Sequence, residues 1–215
     1  MDAMELMDSS QMDDLTSELE NKVRQDPKDL RSLLLLGNGY YLRGRVRAAI
    51  DTFEKAIQVN PNLPYAYYYQ GISLYRAMRL DEAIGVLEKA VEVSPGMVMI
   101  YYWLGIAYYH KGLYPKARAA FEILLHENAE SIIAHYHAAL ACIADQSFEC
   151  AQHHLEALSA RSSDNPQVQL LLGNCYYRMN KIEKAVEAYR KGLEKNPGNV
   201  PLQEALSYLT DVQNP

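Results

Sequence analysis

Self-similarity at a spacing of 34 residues constrains this chain more than any other feature. Segments begin at Leu30, Pro64, Val98, Ile132 and Pro166 with no insertion or deletion between them. The eighth place of each holds Gly37, Gly71, Gly105, Ala139 and Gly173, and the twentieth holds Ala49, Ala83, Ala117, Ala151 and Ala185. The twenty-fourth holds Phe53, Leu87, Phe121, Leu155 and Tyr189, and the thirty-second Pro61, Pro95, Ala129, Ser163 and Pro197. A fixed period of this length marks an array in which each segment packs on its neighbours and cannot bury its own faces alone.

Leu33 to Pro61 shows the pattern most plainly: two amphipathic helices with a tight turn at Gly44-Arg45. Gly44 and Gly112 stand where a left-handed residue ends a helix, and Asn180 suits the same role. Met78 and Gln146 suit it less, so those two turns are expected to differ from the rest. Small residues at Gly37, Ala49 and Ala56 leave room for two helices to approach closely. The segment 132–165 departs most, with Ala139 for Gly, Cys142 for Tyr, Leu158 for Ala and Ser163 for Pro. Its exit, 159–165, reads as a loop and the expected hinge.

Residues 1–14 read as an acidic, Met-containing tail, either a solubilising leader or a short helix whose Met4, Leu6 and Met7 dock on an apolar surface. The expected N-terminal capping helix spans 15–29, starts at Asp14 or Thr16, and carries the stripe Leu15, Leu19, Val23. After the repeats at 30–199 (30–63, 64–97, 98–131, 132–165 and 166–199), residues 200–215 read as a C-terminal capping helix with Leu202, Ala205, Leu206 and Leu209 on one face.

The formal charge is −6, and residues 1–29, with nine acids against three bases, carry all of it. The repeats are therefore neutral and lack the basic stripe that a nucleic-acid backbone requires, so nucleic acid is not an expected ligand. Three cysteines, Cys142, Cys150 and Cys175, are an odd number with no framework spacing, which points to a reducing compartment. No apolar run approaches the ~18 residues of a membrane span, and the acidic start does not resemble a signal peptide. The expected location is cytoplasmic.

The runs Leu36 to Tyr41 (LGNGYY), Leu104 to Tyr109 (LGIAYY) and Leu172 to Tyr177 (LGNCYY), each followed by its Ala/Phe/Ala/Pro set, resemble the tetratricopeptide repeat (TPR) family. The resemblance implies an all-α, right-handed α-solenoid of five helix-turn-helix repeats with capping helices at both ends. It also implies a concave groove lined by the first helix of each repeat. Carried onto this chain, the groove places include Asn38 and Tyr41 in the first repeat and Tyr65, Tyr68, Tyr75 and Arg76 in the second. The third contributes Tyr102, Tyr109 and His110, the fourth Tyr136, and the fifth Asn174, Tyr177 and Arg178. Of the chain's 17 tyrosines, eight fall on groove places, and no acid does. Tyrosine offers large contact area at low rotamer cost, although tyrosine at these places also supports the helices themselves. The family's clamp for the C-terminal carboxylate of heat-shock chaperones is absent: Asn38 is present, but Leu34, Tyr69, Met99 and Trp103 occupy the other places.

The resemblance implies a non-catalytic interaction scaffold or adaptor that binds a partner's peptide segment. The apolar, aromatic middle and polar ends of the groove places favour an extended or helical one with apolar anchors and negative charge, and without an anchor or basic patch no membrane insertion is expected. A self-assembling homo-oligomeric scaffold and a chaperone for a secreted or assembling client are the alternatives, and residues 1–12 could themselves occupy the groove. Nucleophile-elbow, phosphate-loop and dinucleotide motifs are missing. His135, His137, Cys142, Cys150, His153 and His154 cluster in the fourth segment. Without C-x-x-C or H-E-x-x-H they read as ordinary core or surface residues, so no cofactor or metal site is expected.

Overall fold

The computed structural model describes residues 9–161 and 165–213. Among them it contains twelve helices and no strand. They form two compact units, Met1–Lys111 and Gly112–Pro215. No described helix is long and apolar enough to cross a membrane.

The first unit holds α1 (Ser9–Gln25), α2 (Leu30–Leu42), α3 (Val46–Val59), α4 (Pro64–Arg76), α5 (Leu80–Val93) and α6 (Met99–His110). Helix α2 starts where Asp29 accepts from the backbone N–H groups of Arg31 and Ser32, satisfying donors that the helix start leaves open. These bonds, with the Ser32 hydroxyl foremost, hold the Asp29 carboxyl below its ordinary range. Pro64 opens α4 at the position where its missing N–H costs nothing. The core runs between consecutive helices: Leu36, Tyr40, Ala49 and Phe53 pack with Met12 and Leu19 of α1. Phe53 is fully buried, worth about 1.5–3 kcal/mol for a side chain of its size.

Helix α1 begins at Ser9 and so takes in part of the stretch read as tail. Its apolar face extends one turn further back than Leu15, Leu19 and Val23, because Met12 and Thr16 are also buried. Thr16 satisfies its hydroxyl on the Met12 carbonyl at 2.6 Å, and Asp13 pairs with Arg43 beyond α2. Met4, Leu6 and Met7, the residues considered for docking, lie outside the described residues.

The second unit holds α7 (Tyr114–Glu127), α8 (Ile132–Ala144), α9 (Phe148–Arg161), α10 (Pro166–Arg178), α11 (Ile182–Lys195) and α12 (Val200–Gln213). Its core joins Leu155 and Leu158 of α9, Val168 and Leu172 of α10, Ala185 and Tyr189 of α11, and Leu202 and Leu209 of α12. The expected loop at 159–165 is shorter than its composition suggested. Helix α9 continues to Arg161, and buried Ser159 accepts a 2.7 Å hydrogen bond from the Gln169 side chain. Residues 162–164 lie outside the described residues.

Two further expectations are corrected. Met78 and Gln146 adopt φ of 59°, as does Asn180, in the same left-handed region as Gly44 at 72° and Gly112 at 79°. The reason is the closing hydrogen bonds. Arg79 N–H reaches the Leu74 carbonyl at 3.0 Å and Ser147 N–H the Cys142 carbonyl at 2.8 Å, as Arg45 N–H reaches Tyr40 at 2.9 Å. That six-residue closure needs a left-handed residue whatever its side chain. The second correction concerns the cysteines: Cys142 and Cys150 are joined as a disulfide with Cα atoms 5.8 Å apart, while Cys175 is free and buried. Antiparallel α8 and α9 face those two positions toward each other, which an odd cysteine count does not reveal.

Candidate functional site

Helices α2, α4 and α6 bring one set of the expected groove residues together. Tyr75 lies 5.6 Å from Trp103 and 5.7 Å from His110, ring centre to ring centre. Tyr102 meets Trp103 edge-on at 5.4 Å, and Tyr109 meets His110 at 5.5 Å. At the other end, the Arg76 guanidinium stands 5.0 Å over the Tyr41 ring and donates to the Tyr41 carbonyl at 2.9 Å. Tyr41, Tyr68, Tyr75, Arg76, Tyr102 and His110 thus form one ladder along three successive first helices. Edge-on and tilted contacts of this kind hold rings rigidly at low entropy cost.

Trp103, the only tryptophan, is not one of the groove places that the repeat resemblance implies. It sits in the middle of the ladder, where its indole N–H lies near enough to the Tyr68 hydroxyl to draw that phenol's pKa down. Burial is the main reason that the Tyr68 phenol is pushed above its ordinary pKa. Burial does the same to Tyr75, with neighbouring Tyr102 adding to it. Tyr69 turns away, stacking on Phe53 at 5.5 Å, and so belongs to packing. Tyr65 stands at the first turn of α4, half exposed at 50%, and Asn38 is half-buried on α2.

The predicted residues of the second unit do less together. The Asn174 side-chain oxygen accepts from the Tyr189 hydroxyl at 2.8 Å, which ties it to α11. Arg178 stands 4.9 Å over the Phe148 ring. Tyr177 meets Tyr208 of α12 edge-on at 6.1 Å, and the Tyr208 hydroxyl raises its pKa. Tyr136 packs against His137. A cleft of about 1020 Å³ lies elsewhere, bordered by Glu20, Val23, Leu36, Tyr40 and Lys55 among others; α1 and α3 supply much of its rim, away from the ladder rings.

A second cluster lies between α8 and α9. His135 Nδ1 is 3.1 Å from His154 Nδ1, and His135 Nε2 is 3.0 Å from the Ala129 carbonyl oxygen. Burial, reinforced by His135, drives the His154 imidazole down to about 4, so this ring is neutral near pH 7.

The tetratricopeptide repeat model matches residues 34–97, 68–132 and 166–199. The stretch between these matches is the one in which the period is most eroded. A 55-residue stretch is 42% identical to Superkiller protein 3 of Saccharomyces cerevisiae, covering 26% of this chain and 4% of that protein. The chain therefore spans a small fraction of the curated relative it matches. Among solved structures it is similar to YrrB, described as a TPR protein with an unusual peptide-binding site, at a TM-score of 0.77 and 16% identity over 87% of this chain and 96% of that one. MamA from Desulfovibrio magneticus RS-1 gives 0.72 at 19% identity, over 80% and 97% of the two chains. PilW, a type IV pilus biogenesis factor, gives 0.71 at 20% identity, over 95% and 94%. Such distant likenesses carry the fold alone. Together with the matched repeats, over more than half of the sequence, they agree with the helices seen: the chain belongs to the tetratricopeptide repeat family.

Proposed function

We propose that the protein is a non-catalytic interaction scaffold whose α2, α4 and α6 surface binds an extended peptide segment of a partner protein. Membership of the repeat family supports the interaction role. The observation that carries the peptide reading is the ladder of Tyr41, Tyr68, Tyr75, Tyr102 and Trp103, bounded by Arg76 and His110. Rigid rings with hydroxyls at their tips hold apolar anchors and direct a backbone, and the guanidinium favours negative charge in the ligand. That the similar YrrB has a peptide-binding site supports the same reading.

Trp103 supplies the assay, because a ligand seated on the ladder changes the emission of the only tryptophan. Peptides that carry two apolar anchors and a flanking acidic residue are expected to shift that emission saturably. Tyr75→Ala, at the centre of the ladder, is expected to weaken binding at least tenfold, whereas Tyr208→Ala is expected to leave it unchanged. Equal binding by wild type and Tyr75→Ala would remove the assignment.

A further inference from the structure

The 34-residue pattern is most eroded across α8 and α9, and two of its departures, Cys142 and His154, converge in space with Cys150. Cys142 stands at the place that holds Tyr40, Tyr108 and Tyr176 in other segments. His154 stands where the others carry Thr52, Val86, Ala120 and Ala188. Cys150 and His154, four apart, share one face of α9, and Cys142 faces them from α8. The two sulfurs and one imidazole nitrogen of His154 all lie within 4.8 Å of one another.

His135 completes the arrangement from behind. A carbonyl oxygen can only accept, so the nitrogen of His135 facing Ala129, 3.0 Å away, carries a hydrogen. In the tautomer with that single hydrogen, His135 accepts at Nδ1 from the Nδ1–H of His154, 3.1 Å away. The Nε2 of His154 is left with its lone pair. A ligating imidazole usually gives its other N–H to a carbonyl, carboxylate or water behind it; here His135, itself oriented by the Ala129 carbonyl, takes that place behind His154.

We infer that Cys142, Cys150 and His154, with both cysteines as thiols, bind one Zn²⁺, with the fourth position of the tetrahedron open to solvent or an incoming ligand. Two thiolates and one imidazole nitrogen form a soft donor set that suits zinc and does not suit calcium or magnesium. On binding, each thiol gives up its proton to solvent, and the two thiolates neutralise the dication. Zinc–sulfur bonds of about 2.3 Å set the sulfurs roughly 3.8 Å apart, so the metal and the disulfide exclude each other. Cys150 is the less buried of the two cysteines.

The test uses the full chain, reduced by a phosphine in the absence of air and titrated with Co²⁺. Saturation at one equivalent is expected, with thiolate-to-cobalt charge-transfer absorption that stoichiometric Zn²⁺ displaces. Cys150→Ser and His154→Gln are expected to lower cobalt affinity at least tenfold, and Cys175→Ser to leave it unchanged. Cys142 is buried, so Cys142→Ser is paired with far-ultraviolet circular dichroism to check that the helices persist. Absence of the charge-transfer band in the reduced protein would overturn the site and leave a disulfide only. A band of undiminished affinity in Cys150→Ser would overturn it in favour of the other thiols, and uptake without any sulfur signature would overturn it in favour of exposed histidines.

Discussion

The Tyr40 hydroxyl donates to the Glu20 carboxylate at 2.6 Å, tying α2 to α1 across 20 residues of chain. The same bond recurs two periods later between Tyr108 and Glu88 at 2.5 Å, and again between Tyr176 and Glu156 at 2.7 Å. A glutamate is also present at the intervening places, Glu54 and Glu122, but Leu74 and Cys142 stand where the tyrosine would be. Burial first, and the facing carboxylate second, push Tyr40 up to about 12. The bond thus links successive helices of the array, and it is missing where Leu74 and Cys142 replace the tyrosine.

Removing one such hydroxyl has a pH signature. The Tyr176 hydroxyl is the largest of the influences that hold the Glu156 carboxyl below its ordinary value. A carboxyl lowered in the folded state contributes stability above its unfolded pKa, and that contribution is lost as pH falls through the folded value. Tyr176→Phe is expected to cost about 1 kcal/mol at pH 7, since the pair is partly screened by solvent. The difference from wild type should shrink as pH falls below about 4, measured by urea unfolding at several pH values.

Two glycines should respond to alanine in opposite directions. A Cβ on Gly173 would lie 2.2 Å from the Tyr189 ring, whose hydroxyl is committed to Asn174 at 2.8 Å. Gly173→Ala is expected to destabilise by about 1–3 kcal/mol through overpacking. Gly85 on the exposed side of α5 has nothing within 4 Å of the same added atom. Gly85→Ala is expected to stabilise by about 0.5–1 kcal/mol, from helix propensity alone. Chemical denaturation of both variants checks the contrast.

Met78 holds its left-handed backbone while its side chain is 70% exposed, so it contributes little packing. A left-handed conformation costs a side-chain-bearing residue about 1–2 kcal/mol, against which glycine loses part in unfolded-chain entropy. Met78→Gly is therefore expected to raise the unfolding free energy by about 0.5–1 kcal/mol. Met78→Ala, which keeps a Cβ in the same conformation, should not, and thermal melts of the two variants distinguish the cases.

Arg76 separates ligand recognition from folding. It is an exposed residue bonded to the Tyr41 carbonyl at 2.9 Å and lying over that ring. Arg76→Gln is expected to change stability by less than about 1 kcal/mol. It should also weaken binding of acidic peptides severalfold and flatten the salt dependence of that binding. Trp103 emission titrations at two ionic strengths measure both effects.

The sequence by itself determined the helices, their pairing and their phase, because periodic apolar residues, fixed alanines and recurrent Asn-Pro turns are local signals repeated every 34 residues. The resemblance to the repeat family also implied that Tyr41, Tyr68, Tyr75 and Tyr102 share one surface. Other features needed the tertiary structure. Met78 and Gln146 are forced into the left-handed turn by hydrogen bonds that propensity does not anticipate. Helix α1 reaches back to Ser9 because Met12 finds a buried place against α2. The side-chain oxygen of Asn174 is oriented by the hydroxyl of Tyr189 on another helix. Trp103 gains its role from Tyr68 and Tyr75 one period away, and Cys142 meets Cys150 and His154 only when α8 folds onto α9. In each case the deciding partner lies on another helix, and its contact geometry is set by packing, which no local pattern encodes.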